Sequence, residues 1–318
     1  MATYKGIQGY SVQKLSSDPT VADTVGQLWY NSTTGKFKIS TSGAGAWASG
    51  GDLNSGRSEA AGAGTQTAGL CFAGEPPTTT NTESYNGSTW TEVNNLNTAR
   101  YAPGGGGTQT AAMCMGGAVP ASTAISETWD GTSWTEGNNL TTARDHIGVS
   151  QSGTPSAMLI FGGTPPTTAI TETWNGTSWT ETNDLTTARG YFVGAFGTST
   201  ASLCAGGTPP DSLAVTETWN GTSWTEVNDL NTGRNKGAGA GATTAGLVFG
   251  GTPSDSADTE TWDGTSWTEV ANLAAAKNEN VGMGTSSAAL ATGGTPPSDS
   301  ATEEWNDPVY TIKTVTVS

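Results

Sequence analysis

The sequence predicts an all-β protein, a closed propeller of six four-stranded blades, preceded by a short N-terminal segment. Three observations predict it. Tryptophan recurs at a nearly fixed interval, a turn dipeptide recurs in phase with it, and the repeat begins and ends in mid-unit. The recurring residues are Trp47, Trp90, Trp134, Trp179, Trp224 and Trp267, spaced 43, 44, 45, 45 and 43 residues apart. A unit of that length holding four strands is the size of a propeller blade.

Composition alone points the other way. Leu, Ile, Val and Phe together make 42 of the 318 residues, and 28 acidic against 12 basic residues leave a net charge of −16. So few aliphatics with so much charge is the signature of disorder. The order of the residues overturns that reading. Twelve Trp are present, and each large aromatic buries ~150–250 Å². Repeated Trp among small residues therefore supplies a core.

Several function classes are excluded early. The acidic balance argues against nucleic acid as a partner, because phosphate contacts need clustered cations. No apolar run is long enough for a membrane-spanning helix, so membrane insertion is not expected. The N-terminus, MATYKGIQGYSVQK, lacks the apolar stretch of a secretory signal. A single His, His146, leaves little scope for His-rich metal sites or His relays. No metal, cofactor or catalytic set is expected.

Each unit reads as four strands in order. The first is Gly-rich, as in GAGAGATT (237–244), and it lies nearest the axis, where strands crowd and small residues fit. Gly104–Gly107 belongs to the same class; it opens no helix, so it is no phosphate cradle. The second strand is apolar, as in GLVFGG (246–251). The third is TETW-like and the fourth SWTEV-like. Asn86-Gly87, Asp130-Gly131, Asn175-Gly176, Asn220-Gly221 and Asp263-Gly264 join them. These dipeptides predict type I′ hairpin turns. Asp at two of the five positions argues against glycosylation at the Asn residues.

The ends of the repeat predict its closure. Trp47 is a fourth-strand residue that precedes any whole unit, and Trp305 is a third-strand residue with no Trp after it. A ring joins these halves into one blade built 3+1. An open solenoid would instead carry polar caps.

Ten residues after each fourth-strand Trp stands a cation: Arg57, Arg100, Arg144, Arg189, Arg234 and Lys277. Two residues before each third-strand aromatic stands a carboxylate: Glu83, Glu127, Glu172, Glu217, Glu260 and Glu303. Six buried cations without counter-charges would be prohibitive. The two sets are expected to form a structural charged ring. Cys71, Cys114 and Cys204 fill second-strand positions that other units give to Ile, Val or Ala, and are expected to be inert, buried thiols.

Function is sought where the repeats disagree. Just after the cation the residues vary, giving Glu59, Tyr101, Asp145, His146, Tyr191, Asn235, Lys236, Asn278 and Glu279 as candidate binding residues. They enter the innermost strand and should ring one mouth of the channel. The variable, Pro-rich loops between second and third strands open on the same face. The bland alternative is an ordinary solvated rim. Asp255, Asp258 and Asp299 carry no EF-hand spacing that would mark a Ca²⁺ site.

The apolar-Gly-Gly strand, the aromatic-then-Trp hairpin and the L-x-x-x-R segment resemble kelch repeats over residues 44–306. Four residues between the two aromatics are fewer than is usual there. The WNGTSW hairpin is similar in part to the Asp-box turn of sialidases. All five arginines are the repeat arginines, which leaves no extra cluster for a sialic-acid carboxylate.

Within residues 1–43 the sequence predicts a hairpin at Leu28–Ile39. MATYKGIQGY…GQLWYNSTTGKFK resembles N-terminal segments of bacteriophage virion proteins, especially tail-fibre-like and appendage proteins of marine phages. Residues 307–318 read as one added strand. The resemblance implies a non-enzymatic virion protein, tail-fibre-like or capsid-decorating. Residues 1–43 would contact other virion proteins, and the propeller would be displayed to a host-surface glycan or to proteins. The alternatives are a polysaccharide-active or glycan-binding propeller enzyme and an intracellular kelch-type adaptor.

Overall fold

The structure is a computed structural model and describes residues 12–19, 26–42, 44–209, 211–295, 299–307 and 310–315. They fall into two compact units. One comprises residues 46–306 and the other the two end segments, 1–45 with 307–318.

Residues 46–306 form six four-stranded antiparallel sheets, the blades of a propeller. In blade 1 the strands run Ala61–Thr65, Ala68–Phe72, Thr82–Tyr85 and Trp90–Val93, each paired with the next. Blades 2 to 5 begin at Gly104, Gly148, Gly194 and Ala238. Blade 6 takes three strands, Val281–Thr285, Ala288–Thr292 and Thr302–Asn306, from the end of the repeat and its fourth, Ala46–Ser49, from the beginning. Trp305 pairs with Trp47 in register, their rings 5.6 Å apart. The first strands touch in a closed circle, blade 1 through blade 6 and back to blade 1. Close approach there explains the glycines. A Cβ on Gly105 would lie 2.8 Å from the Ala61 Cβ, and one on Gly62 would lie 2.5 Å from a Val281 methyl.

The core lies between blades. Phe72, Phe161 and Phe249 of blades 1, 3 and 5 meet Trp134, Trp224 and Trp47 of the next blade edge-on, at 4.9, 4.7 and 4.8 Å. Five of the six seams also carry a polar tie. The indole N–H of Trp47, Trp90, Trp134, Trp224 and Trp267 donates to Thr259, Thr302, Thr82, Thr171 and Thr216 of the preceding blade, at 3.0–3.1 Å. The seam between blades 2 and 3 departs from this. Ser126 stands where other blades have Thr, and its hydroxyl donates to the Asn138 carbonyl at 2.8 Å. The buried Trp179 indole N–H is left without an acceptor.

The hairpin turns differ from the type I′ expectation. Tyr85 pairs with Trp90, so the loop has four residues, 86–89. Only its glycine takes a positive φ, 88° at Gly87, whereas I′ needs two. The Asn86 side-chain oxygen instead accepts from the Ser88 and Thr89 amides, at 3.0 and 2.9 Å. Asp130 and Asp263 repeat this with their own two amides, each at 2.8 Å. An Asx turn needs only an acceptor oxygen, which is why Asn and Asp interchange here. The two amide bonds hold the Asp130 and Asp263 carboxyls below their ordinary pKa.

The end segments form one four-stranded sheet. Gln13–Leu15 runs parallel to Leu28–Asn31, which pairs antiparallel with Lys36–Ser42, which in turn pairs with Tyr310–Thr314. The C-terminal strand thus shares a sheet with the N-terminal hairpin. Asp18 accepts from the Trp29 indole at 3.1 Å and from the Asn31 amide at 2.6 Å. Residues 1–11, which hold much of the phage-like stretch, lie outside the described residues.

Candidate functional site

The six repeated cations and carboxylates meet in buried pairs. Arg57–Glu83, Arg100–Glu127, Arg144–Glu172, Arg189–Glu217 and Arg234–Glu260 lie 3.0, 2.9, 2.8, 3.0 and 2.7 Å apart. Lys277 lies 3.5 Å from Asp299 and 3.7 Å from Glu303. The other oxygen of each Glu accepts the backbone amide of the residue after the repeat Leu: Asn54, Asn97, Thr141, Thr186, Asn231 or Ala274, at 2.7–2.9 Å. One carboxylate therefore fixes both the cation and the loop that carries it. The thiols of Cys114 and Cys204 accept from Arg100 and Arg189, at 3.3 and 3.1 Å. Burial raises all three thiols, Cys204 to about 11, so they stay protonated.

Beyond the cation the chain makes two further ties. The next residue bridges to the loop after the second strand, as Ser58 to Glu75, Tyr101 to Ala118, Asp145 to Thr164, Gly190 to Thr208, Asn235 to Thr252 and Asn278 to Thr295. The residue after that is Glu59, Ala102, His146, Tyr191, Lys236 or Glu279. Each of these six donates its amide to the carbonyl of its counterpart in the preceding repeat, and Glu59 donates to Glu279, at 2.6–3.2 Å. The six bonds close into an annulus around the channel mouth. All six residues are left-handed, with φ between 49° and 56°.

That conformation costs a residue with a Cβ roughly 1–2 kcal/mol and glycine almost nothing. The chain has 45 glycines and places none at these six positions. The side chains are retained against backbone preference, which marks the annulus as a functional candidate.

The annulus side chains form one electrostatic cluster. His146 Nδ1 is 2.6 Å from Asp145, its Nε2 is 3.3 Å from Glu59, and its ring stacks on Tyr191 at 3.7 Å. Lys236 is 2.6 Å from Glu279 and 5.3 Å from the Tyr191 ring centre. Burial would lower the His146 pKa, but the two carboxylates outweigh it and raise the pKa. Burial likewise opposes the charged forms of Glu59 and Asp145, yet their contacts with His146 hold both below their ordinary values. Glu75, at the rim, is raised by burial and by the charges of Glu59 and Glu279.

A cavity of about 150 Å³ opens inside the mouth, lined by all six annulus residues. Gln151 lines it and a second cavity of about 190 Å³ along the channel. The first strand of blade 3 is only Gly148–Val149, and the turn after it carries Gln151. Its amide crosses to the Gly282 carbonyl of the opposite blade, at 3.3 Å, and partitions the channel.

The structure divides the nine variable candidates. Glu59, His146, Tyr191, Lys236 and Glu279 line the cavity. Tyr101, Asp145, Asn235 and Asn278 lie one position outside and bond to the neighbouring loops. Asn235 accepts from Thr252 at 2.7 Å, Asn278 from Thr295 at 3.0 Å and Asp145 from Thr164 at 2.7 Å; the Tyr101 hydroxyl donates to the Pro120 carbonyl at 3.4 Å. Ala102, from the same variable positions, also lines the cavity, as do Gln151 and Asn280, which were not singled out from sequence. The three loop aspartates have separate partners: Asp255 with Asn278, Asp258 with Asn272 and Asp299 with Lys277. Among the described residues no group of three His, Cys, Asp or Glu side chains is arranged to hold a metal ion. No family model and no curated protein matches the chain.

Proposed function

We propose that the protein is a non-enzymatic bacteriophage virion appendage, tail-fibre-like or capsid-decorating. Its kelch-type propeller is displayed for adhesion to a host-surface glycan, and its N-terminal segment contacts other virion proteins. The observation that carries a binding role is the annulus: six non-glycine residues hold a left-handed backbone, and their side chains are of five different types. The virion assignment rests on the resemblance of residues 1–43. It is supported by charge, because Lys5, Lys14, Lys36 and Lys38 lie in that segment while the propeller is strongly acidic.

The state of His146 speaks against a catalytic base. A base needs a ring nitrogen free to accept a proton, and both nitrogens here face carboxylates. The imidazolium is the form the site stabilises, which suits recognition.

Mass spectrometry and microscopy of purified particles test the assignment. The chain should be found in them, attached through its N-terminal segment, and the isolated protein should leave a panel of host glycans uncleaved. Absence from particles removes the virion reading. Glycan cleavage abolished by Glu59→Gln or His146→Gln replaces adhesion with catalysis.

A further inference from the structure

Side chains of the annulus join across the channel mouth. The circuit runs from Asp145 through His146 and Glu59 to Glu279 and Lys236, and Tyr191, between His146 and Lys236, closes it. His146 enters blade 3 and Glu59 enters blade 1, so their contact passes over blade 2, where the annulus residue is Ala102. Alanine, the smallest of the six side chains, leaves that crossing clear. The crossing is also the weak link. Asp145 holds His146 at 2.6 Å and is itself fixed by Ser122 at 2.6 Å and Thr164 at 2.7 Å, and Lys236 holds Glu279 at 2.6 Å. His146 reaches Glu59 only at 3.3 Å. Behind the circuit lies the cavity of about 150 Å³.

Protonation decides whether the crossing holds. The charged ring donates from both nitrogens and joins the two carboxylates. The neutral ring keeps one proton, and Asp145, the nearer acceptor, holds it on Nδ1. The Nε2 lone pair then faces the Glu59 carboxylate with no proton between them, while the Glu279 carboxylate faces Glu59 as well and repels it. We propose that the His146–Glu59 contact is a proton-operated latch, closed across the mouth while the imidazolium lasts and released, with Glu59 turning out to solvent, when its proton leaves. Release falls above pH 6.5, because burial, which would lower the His146 pKa, is outweighed by the two carboxylates. Four groups around the ring keep their charge state there. Burial opposes ionisation of Asp145 and Glu59, yet their bonds to His146 lower both; burial raises the Tyr191 phenol; and Glu279 raises Lys236 against burial. Glu75, at the rim, is raised by burial and by the charges of Glu59 and Glu279, and the His146 charge opposes that rise. The mouth thus presents a closed, charged rim in acid and an open cavity toward alkaline pH.

The latch goes beyond the adhesion reading and stands whether or not the chain is found in particles. Thiol labelling of the full chain tests it. Ala195 lines the cavity and the three native thiols are buried, so Ala195→Cys places a reporter behind the latch. Its reaction with methyl methanethiosulfonate should accelerate as pH rises through the His146 transition, which NMR reads from the single histidine. The ratio of open to closed mouths changes about tenfold for each unit by which closure raises the His146 pKa, and about tenfold is the expected gain. Two variants in the same background remove the thiol's own titration from the reading. Glu59→Ala has no latch and should label fastest at every pH, so rates are read as ratios to it. Glu59→Gln can accept from the charged ring and donate to the neutral one, so it should stay slow throughout. A parent ratio that does not change with pH, or a Glu59→Gln ratio that changes as the parent's does, would overturn the proposal. Ala238→Cys, which lines the same cavity, serves if Ala195→Cys does not fold. The His146 transition should also fall in Glu59→Ala without a reporter, and an unmoved transition would overturn the latch as well.

Discussion

The charged hubs and the mouth annulus lie two residues apart in each repeat, yet their six copies behave oppositely. The hub keeps its Glu in all six and its Arg in five, while the annulus keeps a φ near 50° and its backbone bonds but carries five residue types in six copies. The difference is one of which atoms hold the structure. At the hub the side chains hold it, because a buried cation must meet a carboxylate. At the annulus the backbone closes its own circle of hydrogen bonds, and the side chains are released from structural duty. Six copies in one chain thus separate what the fold requires from what it leaves free.

Four experiments break or sharpen that contrast. Deleting residues 1–50 removes the fourth strand of blade 6 and bares the edge at Thr302–Asn306. Both rings should be lost, and size-exclusion chromatography should show aggregate in place of monomer. Arg189→Ala leaves Glu217 buried without its counter-charge and should cost about 3–5 kcal/mol, whereas Ala102→Gly in the annulus should move stability by no more than about 1 kcal/mol. Denaturant unfolding of the two variants side by side measures the gap, and equal losses would erase the distinction.

A smaller gain is expected from Ser126→Thr. The new hydroxyl should accept the Trp179 indole N–H as in the other five seams and add about 1 kcal/mol. Thermal melting would show it, and an unchanged melting temperature would mean that the Ser126 bond to Asn138 is the better use of that position. The weakest effect is that of pH. The folded pKa of His146 is raised above 6.5, so its contribution is complete below 6.5 and fades as pH rises through the raised value. Asp145 and Glu59 are lowered from 3.8 and 4.5, so theirs is complete above those values and fades in stronger acid. Stability should plateau from about 4.5 to 6.5, and His146→Gln should abolish the decline on the alkaline side.

The architecture was legible because it is written in phase. Trp47 ahead of the first unit and Trp305 after the last announce a shared blade, and the two residues pair. The pairing of the hubs could be anticipated from charge balance. The annulus could be located but not described. A left-handed φ at Glu59 or Tyr191 has no local signature, since neither residue favours it, and it arises from the partner in the next repeat. The loop turns were misjudged because Asn-Gly is equally at home in an Asx turn, and the strand register chooses between the two. Gln151 escaped notice because its partner, the Gly282 carbonyl, lies across the channel, at a distance that sequence periodicity does not encode, and Asn280 because it fills a seam position against Gly250 of the adjacent blade. One signal was available: a lone amide at 280, where five repeats carry Ala, Pro, Ile, Phe or Gly.

The 3+1 blade bears on how the protein carries a mechanical load. Ala46 and Asn306 are direct partners, so the chain enters and leaves the propeller side by side at one end of a single blade. The same two stretches of chain are stitched again where Lys36–Ser42 pairs with Tyr310–Thr314. A pull applied to both ends of the chain is therefore shared by two adjacent strands. Within the ring the N-terminal strand is held by blade 6 through its pairing with Thr302–Asn306, and the loop that follows it is held by blade 1 through the Asn54 amide on Glu83.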